Sequence, residues 1–145
     1  MTEEPLLLLQ KVLKGKGYSF TAPRKVVSNL LWGKEPLSMR ELSELSKGLI
    51  DRASLYRTVS LFESLGLVQR IYIGWKYKVE LSDIFTHHHH HISCLSCGKI
   101  VAITEEDEIE TLIDDLAKRH GFTAPNHQLE IRGYCSNCGT PADLK

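Results

Sequence analysis

The chain has 145 residues, 42% hydrophobic and 25% charged, with 18 Lys/Arg against 18 Asp/Glu. This length suits one domain or two small ones, and the composition is that of a soluble globular protein. No apolar stretch approaches the ~20 residues of a membrane span, and the leucine run at 6–9 lacks the cationic flank of a secretory signal, so a cytoplasmic location is expected.

The zero net charge hides an asymmetry. Residues 1–79 carry thirteen Lys/Arg and seven Asp/Glu, a net +6; residues 80–145 balance this at −6 and hold all seven histidines. A basic half joined to an acidic, His-rich half implies a polyanion-binding module fused to a cation-binding one.

In chain order, residues 5–16 read as a helix ended by Gly15 and Gly17. Thr21 is placed to cap a second helix running to about Trp32, with Pro23 tolerated in its first turn and Val26, Val27, Leu30 and Leu31 as its buried stripe. Residues 33–36 form a turn. Ser38, with Glu41 three residues on, predicts a capping box for a third helix whose inner face carries Leu42 and Leu45. Asp51 caps a fourth over 52–65, with Gly66 as its stop and Leu55, Val59, Phe62 and Leu65 facing the core. Residues 68–80 alternate as a hairpin turning at Gly74, with Ile71, Ile73 and Val79 inward and Arg70, Tyr72, Lys76 and Lys78 alternating with them.

Helices followed by a basic two-stranded hairpin are the order of a winged helix. The helix at 52–65 would then be the one that enters a major groove, presenting Arg52, Ser54, Tyr56 and Arg57 from its first turns. Basic residues of the wing, Lys76 among them, would reach phosphates or the minor groove.

The second half opens on five consecutive histidines, 87–91, and then Cys94-x-x-Cys97. The run is internal, unlike a purification tag. A second Cys-x-x-Cys, Cys135 to Cys138, follows a gap of 37 residues. Paired knuckles without a secretory signal favour one zinc over two disulfides. The gap exceeds that of a zinc ribbon, so a structural unit should lie between the pairs. It reads as a strand at 99–103, a helix at 105–119 capped by Thr104, with an acidic first turn (Glu105, Glu106, Asp107, Glu108) and the apolar face Ile109, Leu112, Ile113 and Leu116, then a strand at 127–134. So small a sheet has exposed edges that a second copy would cover. The expected class is α+β: a winged helix-turn-helix over 1–82, then a small metal-binding α/β dimerisation domain over 83–145.

Thr21-x-x-Arg24, Ala53-Ser54-Leu55-Tyr56-Arg57-Thr58, the histidine run, Cys94-x-x-Cys97-Gly98-Lys99, His127 and Cys135-x-x-Cys138 together carry a resemblance. Along nearly its whole length the chain resembles the ferric uptake regulator (Fur) family of metal-responsive bacterial repressors. The resemblance implies a homodimer that binds double-stranded operator DNA, adds Arg24 to the DNA-binding residues, and assigns Cys94, Cys97, Cys135 and Cys138 to structural zinc. It implies a regulatory divalent metal, iron(II) or zinc, held by His89, His91 and a carboxylate at the end of the wing. Glu80 fits that role, with Asp83 competing. A further site would use His88, His90, Glu110 and His127.

The sequence departs from the family at three places. Residues 1–86 contain no histidine, so the partner expected from the DNA-binding half is missing and Glu35 stands nearby. His90 replaces a common aspartate, and Ala102 replaces a carboxylate ligand of some members. More nitrogen and less carboxylate favours zinc, nickel or iron(II) over manganese. His87 reads as a solvated neighbour and His120 as a helix end. Within the family, zinc or peroxide sensing are alternatives. Outside it, a metal-storage or chaperone protein, or a small zinc hydrolase, leaves the basic half without a purpose, and no hydrolase or deaminase zinc motif is present.

Overall fold

The computed structural model describes residues 3–104, 107–125 and 127–140. The chain divides after Thr86 into two compact units. The first contains α1 (Glu3–Gly15), α2 (Ala22–Leu31), α3 (Met39–Leu45), α4 (Arg52–Ser64), β1 (Val68–Ile73) and β2 (Lys76–Leu81). This is a winged helix-turn-helix. Its core takes Leu9 and Leu13 from α1, Val27 and Leu31 from α2, Leu42 from α3, and Leu55, Val59 and Phe62 from α4. Leu67, Val68, Val79 and Leu81 close it from the hairpin. Spacings of three and four residues put these side chains on one face of each helix. Each fully buried aliphatic or aromatic side chain contributes about 1.5–3 kcal/mol.

The helix starts follow the sequence, with one exception. Ser38 and Glu41 form the full capping box: Glu41 N donates to Ser38 Oγ at 3.2 Å, and Ser38 N to Glu41 Oε2 at 2.7 Å. Asp51 caps α4, its Oδ1 accepting from Ser54 N at 2.9 Å. Thr21 occupies the N-cap of α2, yet its side chain accepts no capping bond. A cap oxygen bonds the second or third helical N–H, and one of those two donors is missing here because the second helical residue is Pro23.

Three buried positions differ from the helical pattern. In α2 the inward residue between Val27 and Leu31 is Ser28, whose hydroxyl donates to the Lys25 carbonyl at 2.9 Å. Leu45 is 51% exposed, because α3 ends there and buried Ser46 takes the inward position, its hydroxyl bonded to the Ser43 carbonyl. Leu65 is only half-buried, since α4 stops at Ser64 and Leu67 fills the core instead.

The hairpin register pairs Arg70 with Val79, Tyr72 with Tyr77, Ile71 with Lys78 and Ile73 with Lys76. Cross-strand partners share a face, so Val79 lies on the Arg70 and Tyr72 side, and Ile71 and Ile73 share theirs with Lys76 and Lys78. The hairpin is therefore not split into one apolar and one polar face as the alternation suggested. Leu37 bridges Val79 through hydrogen bonds of 2.9 and 2.7 Å, tying the segment before α3 to β2.

The second unit contains β3 (His90–Cys94), β4 (Ile100–Ile103), α5 (Asp107–Arg119) and β5 (Glu130–Gly133), with sheet order β4-β3-β5. β4 runs antiparallel to β3, and β5 parallel to it. Only 130–133 of the strand expected at 127–134 joins the ladder, because His127 turns towards Glu110. Capping by Thr104 involves Glu105 and Glu106, which lie outside the described residues. The acidic first turn otherwise stands as Asp107, Glu108 and Glu110, opposite Lys118 and Arg119 in the last turn.

Ser38→Ala should cost about 1 kcal/mol in urea unfolding at neutral pH, as for other helix caps. Hydrogen bonds from Ser38 hold the Glu41 carboxyl below its ordinary value. The folded state therefore favours the ionised form, and this contribution is present above about pH 4 and lost as pH falls through the lowered value. The gap in stability between the wild-type protein and Glu41→Gln should accordingly narrow under acid; a gap that widens contradicts the cap.

Candidate metal centres and nucleic-acid interface

Each cysteine pair sits in a tight knuckle. Gly98 (φ 73°) and Gly139 (φ 63°) follow the second cysteine in the left-handed region, which returns the chain without a Cβ penalty. The Cys94 carbonyl accepts Gly98 N at 2.9 Å, and the Cys135 carbonyl accepts Gly139 N at 3.0 Å. Leu95 N donates to the Gly133 carbonyl at 2.8 Å, which sets one knuckle beside the other.

All four sulfurs lie within 4.8 Å of one another, and Cys97 Sγ is 3.9 Å from Cys135 Sγ. Tetrahedral zinc with Zn–S bonds of about 2.3 Å separates its sulfurs by about 3.8 Å, whereas a disulfide needs about 2.05 Å. All four cysteines are free thiols. Backbone N–H groups of Cys97 and then Cys135 hold the Cys94 thiol down at about 6. Cys138 is pushed up to about 11: a hydrogen bond with Ser96 lowers it, but the sulfurs of Cys135 and Cys97 outweigh that. Four sulfurs so close cannot all ionise without a cation among them, and the donor set fits zinc.

The second cluster combines His88, His90, Glu110 and His127. Glu110 Oε1 lies 2.9 Å from His90 Nε2 and 3.4 Å from His88 Nε2, and Glu110 Oε2 lies 3.2 Å from His127 Nε2. The Nε2 atoms of His88 and His127 are 3.1 Å apart. Ligands at about 2.0–2.1 Å around a tetrahedral ion are about 3.3 Å from each other, so these side chains fit a divalent metal. His90 is 2% exposed, and its Nδ1 is buried without a hydrogen-bond partner. Strand alternation sorts the histidine run: the rings of His88 and His90 meet at 4.8 Å, and those of His89 and His91 at 4.7 Å. His89 donates Nδ1–H to the His87 carbonyl at 2.9 Å, which places its lone pair on Nε2. His91 is buried on the same strand. Glu80 belongs to the first unit, where it is buried and accepts from Gln69 Nε2 at 2.7 Å. Asp83 is exposed. His87 is exposed, and exposed His120 ends α5 with its N–H on the Ala117 carbonyl.

On the first unit, Arg52, Tyr56 and Arg57 lie exposed on the first two turns of α4. Ser54 donates its hydroxyl to Asp51 Oδ2 at 2.6 Å and accepts from Arg57 Nη2 at 3.1 Å. The cap thus also orients an arginine. The guanidinium of Arg52 lies 5.5 Å from the Tyr56 ring centre. Arg24 donates to the Ser19 carbonyl and lies 5.4 Å from the Tyr18 ring centre. A cleft of about 220 Å³ joins Thr21, Pro23 and Arg24 to Ser54, Arg57, Thr58 and Leu61, bringing the N-termini of α2 and α4 together. Lys76 is exposed on the wing. Arg70 is not available to phosphate: Glu63 grips it at 2.6 and 2.7 Å, and the Tyr77 ring centre lies 4.3 Å away. The sequence reading passed over Trp75, which stands fully exposed at the hairpin tip. The available signal was a tryptophan in a turn, where small polar residues belong.

A winged helix-turn-helix with an arginine-bearing helix, followed by a unit with preformed sulfur and imidazole donor sets, defines a class of metal-linked regulators. The ferric uptake regulator family profile matches residues 15–132. The ferric uptake regulation protein of Yersinia pestis is 36% identical over 138 residues, 88% of this chain and 90% of that protein. The ferric uptake regulator of Vibrio cholerae superposes with a TM-score of 0.72 at 30% identity, covering 88% of this chain and 99% of that one. The Francisella tularensis regulator, solved with iron, gives a TM-score of 0.70 at 26% identity over 84% of this chain and 95% of that one. The chain belongs to the ferric uptake regulator family.

Cys135→Ser should abolish tightly held zinc and, with it, the cooperative unfolding of the second unit, read by metal analysis and circular dichroism. Zinc kept through dialysis against chelator by that variant would contradict the four-sulfur site. His90→Ala should weaken metal binding at the histidine cluster by on the order of 100-fold while leaving the thiolate zinc in place. Competition with a chromophoric chelator measures both.

Proposed function

We propose that this protein is a metal-dependent DNA-binding repressor of metal-homeostasis genes, iron uptake first among them. It binds rather than catalyses: a four-sulfur site is closed, with no position for substrate. The observation that carries the reading is the pairing, in one chain of this family, of a cationic recognition helix with a preassembled three-histidine, one-carboxylate cluster.

Arg52, Ser54, Tyr56 and Arg57 read base edges and phosphates in the major groove, while Arg24 and Lys76 hold the backbone. Two copies act together. Val101, Ile92 and Ile131 form an apolar row across the second unit's sheet, all partly exposed, and Leu112, Leu116 and Phe122 are more exposed still. A second copy covers such a surface and fixes two α4 helices at the spacing of two half-sites.

His89, His91 and Glu80 are the regulatory donors in this reading, and His88, His90, Glu110 and His127 a second set. A bound divalent ion supplies the positive charge that lets these groups converge. The side chains contribute only as neutral imidazole and carboxylate, so protons compete with the metal for each donor set. Metal can promote repression only by preferring the DNA-binding arrangement over others. Zinc sensing is the second reading, favoured by the three imidazoles brought together by His90.

Chelator-treated protein should bind no operator specifically, and iron(II) or zinc should restore binding. Arg57→Ala should weaken it about ten-fold and lower the salt slope by about 1. Operator affinity unchanged by metal at fixed salt refutes the proposal.

A further inference from the structure

The wing turns through two residues, Gly74 and Trp75, between the paired Ile73 and Lys76. Gly74 takes φ 58°, as the first position of such a turn requires. The second position favours Gly, Asn, Asp or Ser, and nothing in the fold needs an aromatic there. Trp75 is fully exposed (104%) and packs against none of the described residues. The largest apolar side chain of the set thus stands in water at the most protruding point of a hairpin.

Its surroundings specify a partner. Lys76 follows directly, and the 74–79 segment carries Lys76 and Lys78 with no acidic residue. Tyr72 is 44% exposed on the adjacent strand. Arg70, further down, is neutralised by Glu63, so the free positive charge of the wing concentrates at its tip. A flat apolar ring beside exposed Lys76 complements a surface that alternates phosphates with sugar and base faces. A second copy of the chain would offer no such alternation, and an aromatic without the lysines would not distinguish the two.

Resting on the DNA-binding reading above, we propose that Trp75 is a wedge of the wing that enters the minor groove flanking each half-site and packs on deoxyribose and base edges there, while Lys76 holds the adjacent phosphate. Side chains of this kind open a base step or lie along the groove wall, and they favour flexible steps without reading a base directly.

The test uses the full chain with its activating metal, and a duplex selected by the wild-type protein from a random-sequence pool. Trp75→Asn places a favoured residue in the turn, so a merely structural tryptophan predicts unchanged or higher stability and unchanged affinity. The wedge predicts about ten-fold weaker binding at unchanged thermal stability, the scale of losing one aromatic–base contact. The salt slope should stay as in the wild-type protein, and Trp75→Phe should recover most of the affinity. Lys76→Ala should instead lower the slope by about 1. In a Trp32→Phe background Trp75 is the sole tryptophan, and its quenching by acrylamide should fall when the duplex is added. Affinity of Trp75→Asn within two-fold of wild type, or a Trp75 as accessible in the complex as free, overturns the proposal. So does protection without DNA, which would assign the ring to a second copy. Wild-type protein that selects no duplex with any metal sinks the regulatory reading itself, an outcome distinct from a variant that binds as well as its parent.

Discussion

The second unit depends on one constraint: four sulfurs brought within 4.8 Å across a 37-residue gap. Among its described residues only Cys94 and Ile100 are buried hydrophobics, and α5 buries none. Apolar burial on that scale cannot offset the chain entropy of ordering about fifty residues, at roughly 1–2 kcal/mol each for backbone alone. The deficit has two remedies. A thiolate-bound zinc closes the long loop between the knuckles and ties β3 to the segment after β5. In the proposed dimer, a second copy covers the exposed sheet row and the Leu112–Leu116 side of α5. On the proposed reading, folding, zinc and pairing form one coupled equilibrium in this half, whereas the first half carries its own core.

That difference explains where function resides. The winged helix buries apolar side chains from every element and caps α3 and α4 with Ser38 and Asp51, so the surface proposed to face DNA is presented on a rigid body. The Arg57–Ser54–Asp51 chain shows the economy of the arrangement. The same carboxylate that caps α4 orders a hydroxyl, which in turn steers a guanidinium towards solvent. The Arg70–Glu63 pair does the opposite, withdrawing a cation from the wing and leaving Lys76 as its exposed charge.

Much of this was legible in the sequence because it rests on local rules. The capping box and the cysteine knuckles follow from spacing, and the sorting of the histidine run into two sets from the family resemblance together with strand alternation. What escaped depended on contacts between distant segments. Thr21 follows the cap rule in position but makes no cap bond, with Pro23 removing one of the two donors it could use. Leu45 obeys helical periodicity, yet the helix stops before periodicity matters. The hairpin faces were crossed because alternation along each strand does not fix the register between them. The parallel pairing of β5 with β3 has no local signature, since it is set by the crossover through α5. The exposure of α5's apolar face was hidden for a related reason: a hydrophobic stripe says that something covers it, not that the cover comes from the same chain.

The two histidine sets show how a short strand can couple separate chemistries. His88 and His90 face Glu110 and His127 within the second unit, so their donor set is complete on that unit alone. His89, just before β3, and His91 within it bring their rings together as a separate pair. Ligation by either pair fixes the backbone from which the other projects. Residues 1–86 contain neither histidine nor cysteine. Under the proposal that His89, His91 and Glu80 hold the reporting ion, two imidazoles and one carboxylate bind zinc or iron(II) less tightly than the three imidazoles and one carboxylate of the other set. A regulatory site needs that property, since a site saturated at every concentration reports nothing.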